Sequence, residues 1–135
     1  MREILFRGKR YDNGNWVEGY LIHDEVCNTH IPYIGYLFGD DIDVAEIILG
    51  TVGQYTGLTD KNGTKIFEGD VVKVLQGKDK GVTYVGFENG SFMLYPRTGN
   101  IYERTLWAYW YNDWDVEIIG NIHDNPELIG RNDNA

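Results

Sequence analysis

Apolar and polar positions alternate along most of this chain, and the alternation is interrupted about every 8–12 residues by turn-forming clusters, the rhythm of a small all-β sandwich or barrel. In "EILFRGKRY" Ile4 and Phe6 fall on one face, and Leu5 and Arg7 on the other. "DNGN" follows, and its Asn13-Gly14 pair tolerates the positive φ angles of a tight type I′ turn. "WVEGYLIH" then returns, so the first segment reads as a β-hairpin. "IPYIGYLFG" reads as a strand that Pro32 pushes toward a sheet edge. Two stretches stay open. "HDEVCNTH" is a polar loop or a short helical turn, and "DDIDVAEIIL" is an acidic loop leading to a strand, or a turn of helix.

From Thr51 onward the punctuation is dense. "TVGQYTGLT", "TKIF", "DVVKVL", "GVTYVGF" and "SFMLY" are strand candidates. Between them stand the turn segments "DKNG", "EGD", "QGKDKG" and "ENG", with "PRTGN" after the last. A small, strongly bent sheet needs many sharp corners, which accounts for the glycines. In "LWAYWYNDW" a strand would put Trp107, Tyr109 and Tyr111 on one face, and Ala108 and Trp110 on the other. Helix is the main alternative, because "IYERTLWAYW" contains no breaker. "DVEIIGNI" reads as the last strand, and Asn125 before Pro126 starts one short C-terminal helical turn.

Composition narrows the class. The chain has 135 residues and a single cysteine, Cys27, so no intrachain disulfide forms, which suits a reducing cytoplasm. The N-terminus "MREILFRGKRYDNG" has no continuous apolar core, so no signal peptide is expected. No apolar run is long enough to cross a bilayer as a helix. The net charge of −9 is unevenly placed: residues 1–10 are basic, and residues 11–60 contain no Lys or Arg at all. Such a chain repels a nucleic-acid backbone over most of its surface.

The strings "REILFRGKRYDNGNWVEGYLI", "TVGQYTGLTDKNGTKIFEGDVVKV" and "IIGNIHDNPELI" together resemble the YopX family of phage and prophage proteins, over nearly the whole chain. The resemblance implies a mainly β fold, with an N-terminal β-hairpin region packed on an SH3-like small β-barrel formed from about Gly53 to Ile122, and a phage or prophage origin. It carries no catalytic residues across. The expected division is an N-terminal lobe with its acidic connector over residues 1–52, and the barrel with its C-terminal tail over residues 53–130, forming one compact unit.

Several groups are candidates for chemistry. His23, Cys27 and His30 stand at H-x3-C-x2-H, residue types that suit zinc, but "DEVCNT" is a poor helix former and no fourth ligand is local, so a polar loop with one thiol is favoured. Asp40, Asp41, Asp43 and Glu46 lack calcium-loop spacing and read as a solvated acidic face. Ser91, the only serine, sits in a strand candidate, and no nucleophile or phosphate-loop motif occurs. Lys73, Lys78 and Lys80 with Tyr84 form a nucleic-acid candidate, weakened by Asp79 between two of the lysines. Among the aromatics, Trp107 and Trp110 are assigned to the core. Tyr109, Tyr111 and Trp114 are the surplus left for an interface, since tyrosine and tryptophan anchor such contacts. The favoured reading is a non-enzymatic, cofactor-free, cytoplasmic β protein that self-associates and binds a host or phage macromolecule. A nucleic-acid-binding module and, behind it, a zinc enzyme are the alternatives.

Overall fold

The alternating segments form strands, and short antiparallel connections join most of them. The computed structural model describes residues 2–23, 30–111 and 114–130, the side chains at 110 and 111 lying outside that description. The chain is mainly β, in two antiparallel sheets, and divides into two compact units, Met1–Tyr55 and Thr56–Ala135.

In the first unit β1 (Phe6–Lys9), β2 (Trp16–His23), β3 (Pro32–Phe38) and β4 (Asp41–Glu46) pair in the order β4-β3-β2-β1, and the start of β5 (Gly53–Thr59) joins β1. One face of this sheet buries Ile34, Ala45 and Ile47, against which Phe6, Val17, Tyr36 and Val52 pack. Each fully buried aliphatic side chain there contributes about 1.5–3 kcal/mol. Gly19 is required by the closeness of β3, since a Cβ at that position would lie 2.1 Å from the Gly35 carbonyl oxygen.

Three expectations change here. The first hairpin does not use a two-residue type I′ turn. Gly14 has positive φ but Asn13 does not, and Arg10 N–H donates to the Asn15 carbonyl across a longer loop. β3 is not an edge strand; it lies between β2 and β4, and Pro32 is tolerated as its first residue. The acidic stretch is β4 itself, which is the sheet edge.

In the second unit the end of β5 meets β6 (Lys65–Phe67), where Thr56 Oγ1 donates to the Ile66 carbonyl at 2.8 Å. β7 (Asp70–Gln76), β8 (Asp79–Glu88), β9 (Ser91–Gly99), β10 (Arg104–Thr105) and β11 (Asp115–Asn121) form a sheet in the order β10-β9-β8-β7-β11. No pairing among the described residues joins β11 to β10, so the sheet is open in its hydrogen bonds. Its core holds Ile66, Val72, Val74, Val85, Leu94, Ile101, Leu106, Tyr109 and Val116.

Two buried carboxylates hold the corners. Asp60 Oδ1 accepts the N–H groups of Asn62 and Thr64, both at 2.9 Å, while its Oδ2 accepts Ile118 N–H of β11 at 3.1 Å. Asp70 Oδ2 accepts Phe67 N–H at 2.7 Å. "PRTGN" is not a turn after a short strand, because β9 runs through Pro96 to Gly99. Pro96 lies beyond the part of β9 that pairs with β10, and the register shifts at Arg97 beside it.

The aromatic segment departs most from a strand reading. Leu106–Tyr111 is an α-helix, α1, and Thr105 caps it by accepting Ala108 N–H at 3.2 Å. Helical spacing brings Leu106 and Tyr109 onto one face, and both are buried at 1% exposure. Trp107, expected in the core, is 58% exposed, and Tyr109, expected at the surface, is a core residue. After β11, Pro126–Ile129 forms a single 3₁₀ turn preceded by Asn125.

Candidate functional site

Cross-strand partners share a sheet face, so the register of the first unit assigns every side chain. Tyr20 opposes Gly35, Ile22 opposes Tyr33, Gly35 opposes Val44 and Leu37 opposes Ile42. These residues lie on the face opposite Ile34 and Ala45, and most of them stand open to solvent. Leu37 is 75% exposed, Ile42 76%, Tyr20 70%, Val44 50% and Ile22 44%. One exposed apolar side chain needs no explanation; four aliphatic side chains and a tyrosine on adjacent strands of one face form a patch of the kind that marks an interaction site. Gly35 keeps the patch low at its centre, where the Ile22 side chain leans over it.

Charge stands on both faces of the sheet. On its β1 side stand Arg7 and Lys9, opposite Glu18 and Trp16, with the Arg7 guanidinium 4.8 Å and the Lys9 ammonium 5.8 Å from the Trp16 ring centre. Asp41 and Asp43 of β4 oppose Phe38 and Tyr36, on the face that holds Ile34, with Asp40 in the preceding turn. Asp43 Oδ2 accepts the Tyr36 hydroxyl at 3.2 Å, and that hydroxyl accepts from Arg10 at 2.7 Å. Arg10 also clasps both Asp12 oxygens at 2.8 and 2.9 Å, and this hydrogen bonding lowers the Asp12 carboxyl pKa below its ordinary value. A concavity of about 440 Å³ in this unit has Ile31, Pro32, Ile47 and Leu49 as its apolar wall, and Tyr11, His30 and Glu46 as its polar groups.

The aromatic candidates are dispersed. Tyr109 is buried, its hydroxyl donating to the Tyr102 carbonyl, and burial raises its pKa. Trp114 is half-buried, edge-on to Tyr109 with ring centres 4.7 Å apart, and Arg104 lies 5.6 Å from its ring. The side chain of Tyr111 lies outside the described residues. Trp107 is the exposed aromatic that a strand reading assigned to the core.

Lys73, Lys80 and Tyr84 do share a face, since Val71 opposes Tyr84, Lys73 opposes Val82 and Leu75 opposes Lys80. The same face holds acids: Glu117 is the cross-strand partner of Lys73, and Asp115 that of Leu75. Lys78 stands at the exposed hairpin tip beside Asp79, whose Oδ1 accepts Asn100 Nδ2 at 2.6 Å. Tyr84 packs on Tyr95 with ring centres 5.3 Å apart. A phosphate backbone would meet three lysines interleaved with three carboxylates.

Of the metal candidates, His23 ends β2 and His30 precedes β3 with φ of 56°, while Cys27 lies outside the described residues. No group of three or more metal-ligating side chains occurs among the described residues. The four acids do not converge either, for the pleat sends Asp41 and Asp43 to one face of β4 and Glu46 to the other. No described helix is long and apolar enough to cross a membrane.

The apolar face was legible in principle. "GYLIH", "IPYIGYLF" and "IDVAEII" are apolar at both parities, the pattern of a strand buried on two sides. The tryptophan-rich segment drew the interface assignment instead.

The fold has counterparts. The family model described as YopX protein matches residues 5–130. Among solved structures, the crystal structure of protein EF1440 from Enterococcus faecalis is similar, with 23% sequence identity, a TM-score of 0.58, and coverage of 96% of this chain and 99% of that one. At that identity the likeness is one of fold. No curated protein matches the chain.

Proposed function

The chain belongs to the YopX family, and from that premise we propose a non-enzymatic β protein, encoded by a phage or prophage and working in the bacterial cytoplasm, that acts by holding a macromolecular partner. The observation that supports this is the apolar face of β2, β3 and β4. Tyr20, Leu37, Ile42 and Val44 are each at least half exposed on one face of the sheet. Leaving that area in water forgoes about 25 cal/mol per Å² of apolar surface, a free energy that a partner recovers on docking.

A photo-crosslinking amino acid in place of Leu37 tests the reading in the expressing cell. A discrete covalent adduct to another polypeptide is the expected result. A folded, labelled protein that yields no adduct from position 37 or from position 42 refutes it.

Nucleic-acid binding is the second reading, favoured only by Lys73, Lys80 and Tyr84 sharing a face. It expects retention of single- or double-stranded DNA at low salt that Lys73→Ala with Lys80→Ala abolishes. Cross-strand Glu117 makes it the weaker reading.

A further inference from the structure

We propose that the second unit carries a separate ligand site, a concavity beside Arg97 that takes a carboxylate borne on an apolar or aromatic group. The site is independent of the β2–β3–β4 face. Tyr84, Arg97, Ile122 and Ile129 line it.

Two backbone features build it. The β8–β9 ladder pairs Thr83 with Pro96 and Val82 with Thr98, so Arg97 is an extra residue without a cross-strand partner. A bulge of this kind re-aims the side chain it carries. The second feature is the return of the C-terminal 3₁₀ turn onto β11. Gly120 allows that approach, since a Cβ there would lie 2.5 Å from Asn125 Oδ1 and 2.9 Å from a Leu128 methyl carbon. The turn brings in Ile129, which is 3% exposed, and offers its carbonyl to Arg97.

That carbonyl fixes the guanidinium. Arg97 Nε–H donates to it at 2.8 Å. Among the described residues the two terminal nitrogens of Arg97 have no hydrogen bond or ion pair. Their N–H groups form a planar fork whose geometry matches the two oxygens of one carboxylate. The Nε bond restricts the side chain before any ligand arrives, so less freedom is lost on binding. A single cation balances a single negative charge, which favours a carboxylate over a phosphate dianion.

The rest of the wall is apolar. Ile122 and Ile129 stand with the Tyr84 ring, and that ring is braced by Tyr95 with centres 5.3 Å apart. Tyr95 is held in turn by its hydroxyl, which donates to Glu88 at 2.5 Å. The concavity measures about 320 Å³. A cavity of about 150 Å³ admits benzene, so there is room for one ring together with its carboxylate. Two sources carry this chemistry: a free small arylcarboxylate, and the C-terminal residue of a polypeptide with an apolar side chain.

Two-dimensional NMR titration of the full chain tests this, with phenylacetate, N-acetylphenylalanine, N-acetylphenylalanine amide and inorganic phosphate as probes. Saturable shifts are expected at the amides of Tyr84, Arg97, Ile122 and Ile129 with at least one of the two carboxylates, at a Kd of about 1 mM. The amide probe should bind at least about ten-fold more weakly, the scale of one lost charged hydrogen bond. Tighter binding of N-acetylphenylalanine assigns a polypeptide C-terminus as the source, and tighter binding of phenylacetate a free small carboxylate. Arg97→Lys keeps the charge but not the fork, and should weaken binding by a similar factor. No saturable shift at these positions with either carboxylate, equal binding of the amide probe, phosphate binding as tight as either carboxylate, or unchanged affinity in Arg97→Lys overturns the proposal. The comparison of carboxylate with amide uses the unaltered chain, so it decides the matter even where the variant fails to fold.

Discussion

Removing the Asp60 carboxylate should loosen the corner that ties the 60–64 turn to the last strand. Asp60 is 7% exposed, and its two oxygens accept three backbone N–H groups, two within its own turn and one from Ile118. Hydrogen bonds to a charged acceptor are worth about 1.5–3 kcal/mol each, and a buried donor left without a partner costs about 1–3 kcal/mol. Asn62 and Thr64 are exposed, so water takes over most of what they lose, whereas Ile118 N–H sits in the sheet. Asp60→Asn keeps an acceptor for the turn and turns an amide toward Ile118 N–H, so it should cost about 1–3 kcal/mol. Asp60→Ala removes all three acceptor contacts and should cost about 2–5 kcal/mol. Urea unfolding measures both, as a shift of midpoint at constant m. Amide exchange at Ile118, read by NMR, should accelerate in both variants. A cost below about 1 kcal/mol for Asp60→Ala, or an Ile118 amide as protected in Asp60→Asn as in the parent, would refute the assignment.

Other outcomes follow from the packing. Tyr109→Ala should cost about 3–5 kcal/mol in the same urea assay, whereas Trp107→Ala, at a side chain already 58% exposed, should cost clearly less; equal costs would mean that α1 is rotated from its described position. Tyr95 donates to Glu88 at 2.5 Å, which with partial burial raises its pKa from 10.0 to about 12. Because the folded value lies above the unfolded one, the associated stability is complete below pH 10.0 and is lost as pH rises toward about 12. Buried Tyr109 also titrates late, so Tyr95→Phe should remove one of the late tyrosinates seen by ultraviolet titration, and an unchanged number of them would sink the assignment. Gly19→Ala would set a methyl group against the Gly35 carbonyl, and should lower stability by about 1–3 kcal/mol or more; an unchanged Tm would count against the close approach of β2 and β3.

Much of the fold was legible because most strands in this chain are bounded by turn-forming residues. The Asn62-Gly63 and Asn89-Gly90 pairs placed their corners correctly, and so did "EGD" before β7. The errors share a physical origin. Trp107 and Tyr109 are two residues apart, so a period of two puts them on one face, while the helical period puts Tyr109 with Leu106. A six-residue segment is too short for periodicity to choose between the two, and the Thr105 cap that decides it is a weak signal. Pro32 illustrates a second limit. A proline marks where a ladder hydrogen bond is missing, and the first residue of an interior strand satisfies that as well as an edge does. Which of the two apolar parities of β2, β3 and β4 lies inward depended on register, which is a property of pairing between strands and not of any one segment.

The strand order of the second unit has a kinetic consequence. β7 lies between β8, its immediate successor in the chain, and β11, from which it is separated by everything from Gly77 to Trp114. The hairpins β7–β8 and β8–β9 close local loops, whereas β11 must be recruited across a long one at greater entropic cost. We expect the three-strand meander to form first and β11 to dock last, with the Asp60–Ile118 bond made only at that stage. Weakening that bond should then quicken unfolding and leave the folding rate nearly untouched, and a chevron plot for Asp60→Asn in which the folding arm moves instead would reverse the order.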